Sequence, residues 1–383
     1  MRRGIATFTL DNGKCPAWLF ERMVKLGREM TEILIEELGP DEFVRRISDP
    51  VWFQSLGTVL AFDWNASGLT TILTAALKEA IRGREKQLGI FICGGKGKTS
   101  LKTPNEIQTW GERLSLSGGV VSNLAYNSKM AAKVDSSLVQ DGYDIYHHAF
   151  FFSRSGHWAV VQQGMNQSMG RARRYHWHSA NIKDLVCEPH TAIASQSRGT
   201  TLNLVARASG ETRDLSVALI DGGYVSLMKD VEIIRKHSSR LSRTITFQDR
   251  ERNLFTYLKL ENKEFKYHSV VHENFSKSTY LEKVLARLTE EKPKSYERLV
   301  ATKGVGAKTV RALALVGEVI YGAKPSYEDP ARYSFAFGGK DATPYPVDRN
   351  TYDEAIGILR KAVTRTKLPL LEKQKILSRF SSR

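Results

Sequence analysis

Two glycines near the carboxyl end form the segment whose spacing most clearly suggests binding chemistry. Gly304 and Gly306 bracket Val305 and lead into Lys-Thr and an Ala/Leu-rich stretch. This pattern predicts two short helices joined by a hairpin, a helix-hairpin-helix, with Val305 as the apolar plug between the helices. Such a turn presents bare N–H groups at a helix N-terminus, where partial positive charge favours phosphate. The residues expected to contact a nucleic-acid backbone are Gly304, Val305, Gly306, Thr309 and Arg311. The alternative is a Gly-x-Gly turn that only starts a helix.

A second glycine-rich turn, Gly94 to Thr99, is expected between a strand and a helix. A phosphate-binding P-loop belongs at such a place, but the position of its first glycine is occupied by Ile92, so the spacing fails. Lys96 and Lys98 either contact phosphate from this turn or lie on an ordinary surface loop.

Histidines are concentrated in the middle of the chain, with six of the nine between His147 and His190, a stretch of 44 residues. His176 and His178 stand two apart, so in a strand they face the same side and can both reach one metal ion. Together with His147 and His148 they make a candidate site for a divalent metal, zinc or manganese. Such a site would serve a metal-dependent, structure-specific nuclease.

The same region has two other interpretations. Its histidines can be hydrogen-bonded residues of the interior. It can also be a nucleic-acid surface, on which Arg173 and Arg174 meet phosphate while Trp158, Tyr175 and Trp177 stack on bases. The three cysteines are widely spaced, which argues against a disulfide framework and a four-cysteine cluster, so any metal would need His and carboxylate ligands.

The overall charge favours an anionic partner. The chain of 383 residues has a net charge of +16 and a pI of about 9.6. Residues 286–383 hold 19 basic and 11 acidic side chains. Their net charge of +8 is half of the net charge of the whole chain. The alternative to an anionic partner is that the surplus cations form solvated Lys/Arg faces of an ordinary basic protein. Without an apolar run of membrane-spanning length, the expected location is the cytoplasm, with no membrane partner.

The elements that must position these residues are read from periodicity. Expected helices span 18–38, a short stretch from Asp41, 69–82, a stretch from Pro104, and part of 115–141. Expected strands span 88–93, 146–152, 158–162, 202–206 and 215–220. The predicted fold class is α/β (mixed α+β), with a body at 1–228, a helical connector at 229–285, and an all-α helix-hairpin-helix domain at 286–383.

Downstream of the hairpin, Pro346-Val347-Asp348-Arg349 places an Asp where it can cap a helix that begins near Asn350. The motif Gly-apolar-Gly-x-Lys-Thr followed by Val-Asp resembles the helix-hairpin-helix DNA glycosylases over the last third of the chain. The resemblance implies that Lys308 is a Schiff-base lysine and Asp348 the catalytic aspartate, with Arg349 beside it on nucleic acid.

The chemistry that this resemblance implies begins with a flipped nucleotide whose C1′ lies near Lys308. A neutral amine attacks C1′, the base leaves, and anionic Asp348 stabilises the oxocarbenium-like charge. The resulting imine permits β-elimination and strand cleavage. Lys308 can instead be a plain phosphate contact, as in non-catalytic hairpins.

Over its full length the chain resembles an uncharacterised, mainly archaeal family catalogued as domain of unknown function 763. The segments that carry this resemblance are 63–71, 94–98, 146–148, 158–166, 172–177 and 346–349. It supplies no established chemistry. The leading hypothesis is a DNA-repair glycosylase with AP lyase activity. The alternatives are the metal-dependent nuclease and a non-catalytic DNA- or RNA-binding module, so DNA is the favoured partner and RNA stays open. No cofactor is implied beyond a possible divalent metal.

Overall fold

The computed structural model describes residues 15–61, 66–237, 245–248, 254–258, 278–331 and 349–381. The fold is mixed α/β, with helices on both sides of a five-stranded antiparallel sheet. The helices are α1 (Ala17–Leu38), α2 (Pro40–Ile47), α3 (Pro50–Ala61), α4 (Ala66–Ala80), α5 (Glu85–Leu88), α6 (Thr103–Arg113), α7 (Gly118–Ser137), α8 (Gly210–Asp221), α9 (Tyr224–His237), α10 (Thr279–Glu291), α11 (Tyr296–Ala301), α12 (Ala307–Tyr321), α13 (Arg349–Arg365) and α14 (Leu370–Ser381). The strands are β1 (Ile90–Lys96), β2 (Val139–Gln140), β3 (Asp144–Ser153), β4 (Trp158–Asn166), β5 (Arg171–His178), β6 (His190–Ser195), β7 (Leu202–Asn203), β8 (Ile245–Gln248) and β9 (Leu254–Leu258).

The five-stranded sheet has the order β1-β3-β4-β5-β6, and every neighbouring pair is antiparallel. The register aligns one polar row across four strands, because Lys96 pairs with His147, His147 with Gln163, and Gln163 with Arg174. Two further pairs, β2 with β7 and β8 with β9, form small separate sheets.

Each face of the large sheet builds its own hydrophobic core, because successive strand residues point to opposite sides. Phe150 and Trp177 belong to the cluster that holds α7 and the helices α8 to α12. Phe151 and Val161 belong to the other cluster, with α1 to α4 and with α13 and α14. The sheet is therefore buried on both sides.

The helices that flank the two-glycine turn share the first of these cores. Leu285 of α10, Leu299 of α11 and Leu313 of α12 are buried in the same cluster as the sheet residue Phe150. Apolar burial thus joins the predicted hairpin to the sheet, while the boundaries at 228 and 285 stay a prediction.

Several predicted elements are confirmed with small shifts in their ends. The helix expected at 18–38 is α1, the one at 69–82 is α4, and the strand at 88–93 is β1. The strands expected at 146–152 and 158–162 are β3 and β4, whereas only residues 202 and 203 of the expected 202–206 strand are extended, as β7. Residues 204–206 form a turn that leads through a short 3-10 helix, Arg207–Ser209, to α8.

The strand expected at 215–220 is wrong, since these residues lie inside α8. The helix buries Thr212, Ser216, Leu219 and Ile220 along one side, at spacings of three and four residues. A short apolar run does not by itself distinguish a strand from one face of a buried helix. Asp221 accordingly ends a helix, not a strand.

None of the helices in the described ranges combines the length and apolar character that crossing a bilayer requires.

Candidate nucleic-acid interface

The two-glycine turn joins α11 to α12 through residues 302–306. Gly304 has a φ of +93°, a conformation that favours glycine. A Cβ atom there would lie 3.2 Å from a Val284 methyl and 3.3 Å from the Tyr280 hydroxyl, so the turn is tightly seated on α10. Val305 is buried, as expected of the apolar plug.

Side chains of two neighbouring helices, α7 and α10, donate hydrogen bonds to the carbonyl groups of this turn. Lys133 Nζ donates to the Thr302 carbonyl at 2.6 Å. Arg287 Nη1 donates to the Lys303 carbonyl at 2.9 Å, and the Tyr280 hydroxyl to the Gly304 carbonyl at 3.1 Å. Three successive acceptors are therefore satisfied on one side of the turn.

The N–H groups at the start of α12 have a different environment. Gly306 precedes the helix without a side-chain cap, and its carbonyl accepts from Thr309 N at 3.0 Å and Val310 N at 3.2 Å. Within the described ranges no hydrogen bond uses the N–H of Gly306, Ala307 or Lys308. Helix starts leave these donors for an outside acceptor, and the helix dipole favours an anionic one.

Cationic residues lie within this turn, in the first turns of α12 and on the neighbouring helix α7. Lys303 is exposed and Lys308, in the first turn of α12, is half-buried. Burial, with a smaller effect of the positive charge on Lys129, lowers the pKa of Lys133 to about 8. Arg311 lies a turn further along α12, where its Nε donates to Gln140 Oε1.

The other residues predicted for this interface lie in different surroundings. The side chains of Val305 and Thr309 are buried, and their N–H groups donate to the carbonyls of Thr302 and Gly306, so neither N–H is left for a ligand. Asp348 lies outside the described residues. Arg349 begins α13, and its side chain is likewise outside the described part.

Both the backbone conformation and the close packing at position 94 require glycine. Gly94 has a φ of +85°, and a Cβ atom there would lie 2.2 Å from the His148 carbonyl oxygen. Its N–H donates to Glu106 Oε2 at 2.8 Å, and its carbonyl accepts from Lys78 Nζ at 3.0 Å. Lys96 and Lys98 are exposed, with the ammonium of Lys96 5.8 Å from the centre of the Tyr146 ring.

The sheet separates the predicted metal ligands. His147 lies 3.1 Å by its Nε2 from Thr74 Oγ1 of α4, whereas His148 lies 2.8 Å by its Nε2 from Ser128 Oγ of α7. Neighbouring strand residues face opposite sides of the sheet, which accounts for this separation. In the part of the chain that the structure describes, no three His, Cys, Asp or Glu side chains are close enough to hold a metal ion.

His148 belongs to a hydrogen-bonded chain in the interior. The amide nitrogen of Gln162 donates to the Ala131 carbonyl at 3.2 Å and to Asp135 Oδ2 at 2.5 Å. The Gln162 oxygen therefore accepts from His148 Nδ1 at 2.9 Å, which leaves Nε2 to accept from Ser128. Both ring nitrogens of His148 therefore have partners.

His176 and His178 do share one face of β5. His176 is fully buried against Phe53, with ring centroids 5.5 Å apart. Burial and then the charge of Arg174 hold the pKa of His176 well below its usual range. Burial and the charge of His157 lower the pKa of His178 to about 4. Both imidazoles are therefore neutral near pH 7.

Arg173 and Arg174 lie inside the protein, which differs from the expected solvent-facing nucleic-acid surface. Arg173 is 2% exposed and makes ion pairs with Asp141 at 2.8 Å and Asp329 at 2.7 Å. Arg174 is completely buried, donates to Thr70 Oγ1 and Gln54 Oε1 at 3.2 Å each, and has its pKa lowered to about 9 by burial. A phosphate on the surface would not reach either guanidinium group.

Sequence reasoning missed the three side chains that hold the turn. Lys133, Arg287 and Tyr280 lie 169, 16 and 24 residues from the carbonyls that they bind. No local spacing connects them with the glycines, because tertiary packing brings them together. The sequence shows a general surplus of cations, but it does not indicate which of them bind the turn.

The five-stranded antiparallel sheet, buried between helices, and the net charge of +16 define a basic protein of the mixed α/β class. The chain belongs to the DUF763 family, described as protein of unknown function, whose sequence profile matches residues 4–347. No curated protein and no solved structure matches the chain.

Proposed function

We propose that the protein binds the sugar–phosphate backbone of nucleic acid, DNA in the first place and RNA as the alternative, at the two-glycine turn. The observation that carries this proposal is the contrast between the carbonyl groups of the turn and its N–H groups. Lys133, Arg287 and Tyr280 engage its carbonyls, while the N–H groups of residues 306–308 make no bond within the described chain. A phosphate oxygen is the acceptor that such a set of amides suits best.

The charge of the chain supports the same partner. A net charge of +16 attracts any polyanion, and Lys303 and Lys308 lie beside the free amides. Each phosphate that such cations neutralise releases counterions, so affinity falls as salt rises. The contacts involve backbone only and predict little preference for base sequence.

Gly306 offers a direct test, because its φ of −151° is open to any residue and a Cβ atom there meets nothing within 4 Å. Gly306→Asp should keep the fold, since Asp is a good N-cap. Its carboxylate would occupy the amides and repel phosphate, so affinity for a labelled duplex should fall by about tenfold or more. Fluorescence anisotropy at several salt concentrations measures this, with Gly306→Ala, whose side chain fits and cannot accept from the amides, as the control. Equal affinity for Gly306→Asp and Gly306→Ala, with equal thermal stability, would overturn the proposal.

A second candidate function is base excision with lyase action through Lys308. The position of this half-buried lysine, in the first turn of α12 beside the free amides, favours it. In the proposed step the amine attacks C1′, the N-glycosidic bond breaks, and the base leaves with a proton from the amine. The C1′–O4′ bond then breaks, O4′ takes a proton from solvent, and the C1′–nitrogen bond becomes a protonated imine. Removal of a proton from C2′ finally breaks the 3′ C–O bond, with phosphate as the leaving group. Asp348 is the proposed anionic partner.

Borohydride trapping on duplexes that contain an abasic site or a deaminated base tests the lyase. The expected result is a covalent adduct with the wild type and with Lys303→Ala, and none with Lys308→Ala. The adduct should form in EDTA, because the imine needs no metal. No adduct from the wild type, or an equal adduct from Lys308→Ala, contradicts the lyase while leaving backbone binding to its own test.

A further inference from the structure

A separate groove of about 470 Å³ lies between α4, α5 and α6, with Ile92 of the edge strand β1 among its lining residues. One face of α6 and the residue before it line it, since Lys102, Glu106, Trp110 and Arg113 follow one another at spacings of four, four and three. This volume is in the range of sites that hold a small organic ligand.

The groove is positively charged and its inner wall is fixed. Lys78, Arg82, Lys102 and Arg113 line it, against Glu85 and Glu106. Glu106 accepts from Lys78 at 2.7 Å and from the Gly94 N–H at 2.8 Å, so its charge is compensated and α6 is tied to β1. Lys102 and Arg113 make no ion pair with any described residue. Two cations therefore remain for a ligand.

The same groove offers an aromatic surface. Trp110 packs on Phe91, with ring centroids 5.0 Å apart. The Arg113 guanidinium lies 5.1 Å from the centre of the Trp110 ring. A planar cation beside an indole is a good stacking surface for a nucleobase. Asn105 and Thr109 supply hydrogen-bonding groups between the two charged ends.

We propose that this groove binds a nucleoside phosphate, with its base against Trp110 and Arg113 and its phosphate on Lys102. The ligand chemistry is shared by a free nucleotide and by an unpaired nucleotide of a strand. The groove is lined by residues 78–113 and contains none of the two-glycine turn, so the two sites can be tested independently.

Isothermal titration calorimetry with AMP, adenosine and inorganic phosphate tests the proposal. AMP should bind about tenfold or more tightly than adenosine or phosphate, because stacking and charge both contribute. Lys102→Glu and Arg113→Glu, both at exposed positions, should lose most of this affinity at unchanged melting temperature. Lys86→Glu is the matched control, since Lys86 is an exposed cation of α5 outside the groove.

A short 5′-phosphorylated oligonucleotide, titrated into the Gly306→Asp variant, distinguishes the two sources. Tighter binding of AMP indicates a free nucleotide, and tighter binding of the oligonucleotide indicates the end of a strand. Absence of saturable binding of both, or binding that Lys102→Glu and Arg113→Glu leave unchanged, overturns the proposal.

Discussion

At the scale of single residues, Lys133 illustrates how the turn is supported. Its ammonium group holds the Thr302 carbonyl from a half-buried position on α7, beside the positive charge of Lys129. Both burial and the positive charge of Lys129 disfavour the protonated form of Lys133. The contribution of this lysine to the free energy of unfolding therefore changes with pH.

We predict a distinctive pH dependence for this lysine. Its pKa is about 8 in the folded protein against 10.5 as a reference, so between these values the unfolded chain binds more protons. The free energy of unfolding of the wild type should therefore rise relative to Lys133→Met as pH increases from 8 to 10.5. Urea unfolding at several pH values measures this difference. Lys129→Met should move the rise to higher pH, and parallel profiles for wild type and Lys133→Met would contradict the assignment.

His147 is a second residue whose pKa is lowered in the folded protein. It is fully buried beside Thr74, and burial lowers its pKa to about 3, helped by the charges of His148 and Lys96. The folded protein keeps this imidazole neutral, whereas the unfolded chain protonates it below about pH 6.5. Stability from this residue is therefore present above pH 6.5 and is lost as pH falls toward 3.

We expect His147→Gln to remove that acid sensitivity. The wild type should lose about 1.4 kcal/mol more per pH unit than the variant below pH 6.5, the value for one proton. Chemical unfolding at pH 6.5, 5.5 and 4.5 provides the comparison. The exposed His157 supplies the control variant His157→Gln, which should follow the wild type. A wild-type slope no steeper than that of His147→Gln would argue against a buried neutral imidazole.

The residue scale also shows what sequence could reveal about the site. Gly304, Val305 and Gly306 were recognisable because a turn and its plug are local features. The burial of Arg173 and Arg174 was not, since their partners Asp329 and Gln54 lie 156 and 120 residues away. Local spacing indicates that a charge exists and gives no information about which carboxylate or amide it meets.

At the scale of elements, the end of β1 depends on one glycine. Gly94 needs its positive φ, and its Cβ position lies within 2.5 Å of Thr103 Oγ1 as well as close to the His148 carbonyl. The turn therefore couples β1, β3 and the start of α6. Predicting the strand and the following helix was possible from periodicity, but this close approach was not.

Gly94→Ala should destabilise the protein by about 2–4 kcal/mol, because strain and overpacking add. Gly97→Ala is the matched control, since Gly97 also has a positive φ, +59°, but nothing lies within 4 Å of its Cβ position. That change should cost about 1 kcal/mol. Denaturant midpoints at constant m-value give the comparison, and equal losses for both variants would contradict the packing argument.

Elements also mark the limit of pattern reading. The segment 215–220 had the composition of a strand and became part of α8, because burial against α10 to α12 rewards a helical face. A long segment with helical spacing of its apolar residues, such as α1, is too long for a strand and predicts a helix. Composition alone did not separate the two outcomes, because segments of similar length at 88–93 and 158–162 were predicted correctly as strands.

At the scale of the whole molecule, the sheet and the helices around the turn share one core. Leu285, Leu299 and Leu313 are buried in the cluster that also holds Phe150 and Trp177. Removing α10 to α12 would expose to water the apolar residues of α7 and α8 on which these helices pack. The mixed α/β class was predictable from alternating helical and strand patterns, but a shared core has no local signature.

We predict that calorimetry shows a single unfolding transition for the sheet and the helices α10 to α12, which share this core. The van't Hoff and calorimetric enthalpies should agree, as they do for one cooperative unit. Leu313→Ala should lower the whole transition, with a loss of about 2–5 kcal/mol, without splitting it. Two well-separated transitions, of which Leu313→Ala moves only one, would show that the turn and its helices unfold independently.

The second core has a consequence for the order of events during synthesis. Leu34 of α1 packs in the same cluster as Leu359 and Val363 of α13, more than 300 residues further along the chain. Most of the apolar side of α1 packs on α2 to α4, which follow it directly in the chain, but the part that packs on α13 waits on the order of half a minute at ribosomal speeds of roughly 5–20 residues per second. During this interval the nascent chain exposes this limited apolar surface, to which a holding chaperone can bind until α13 emerges.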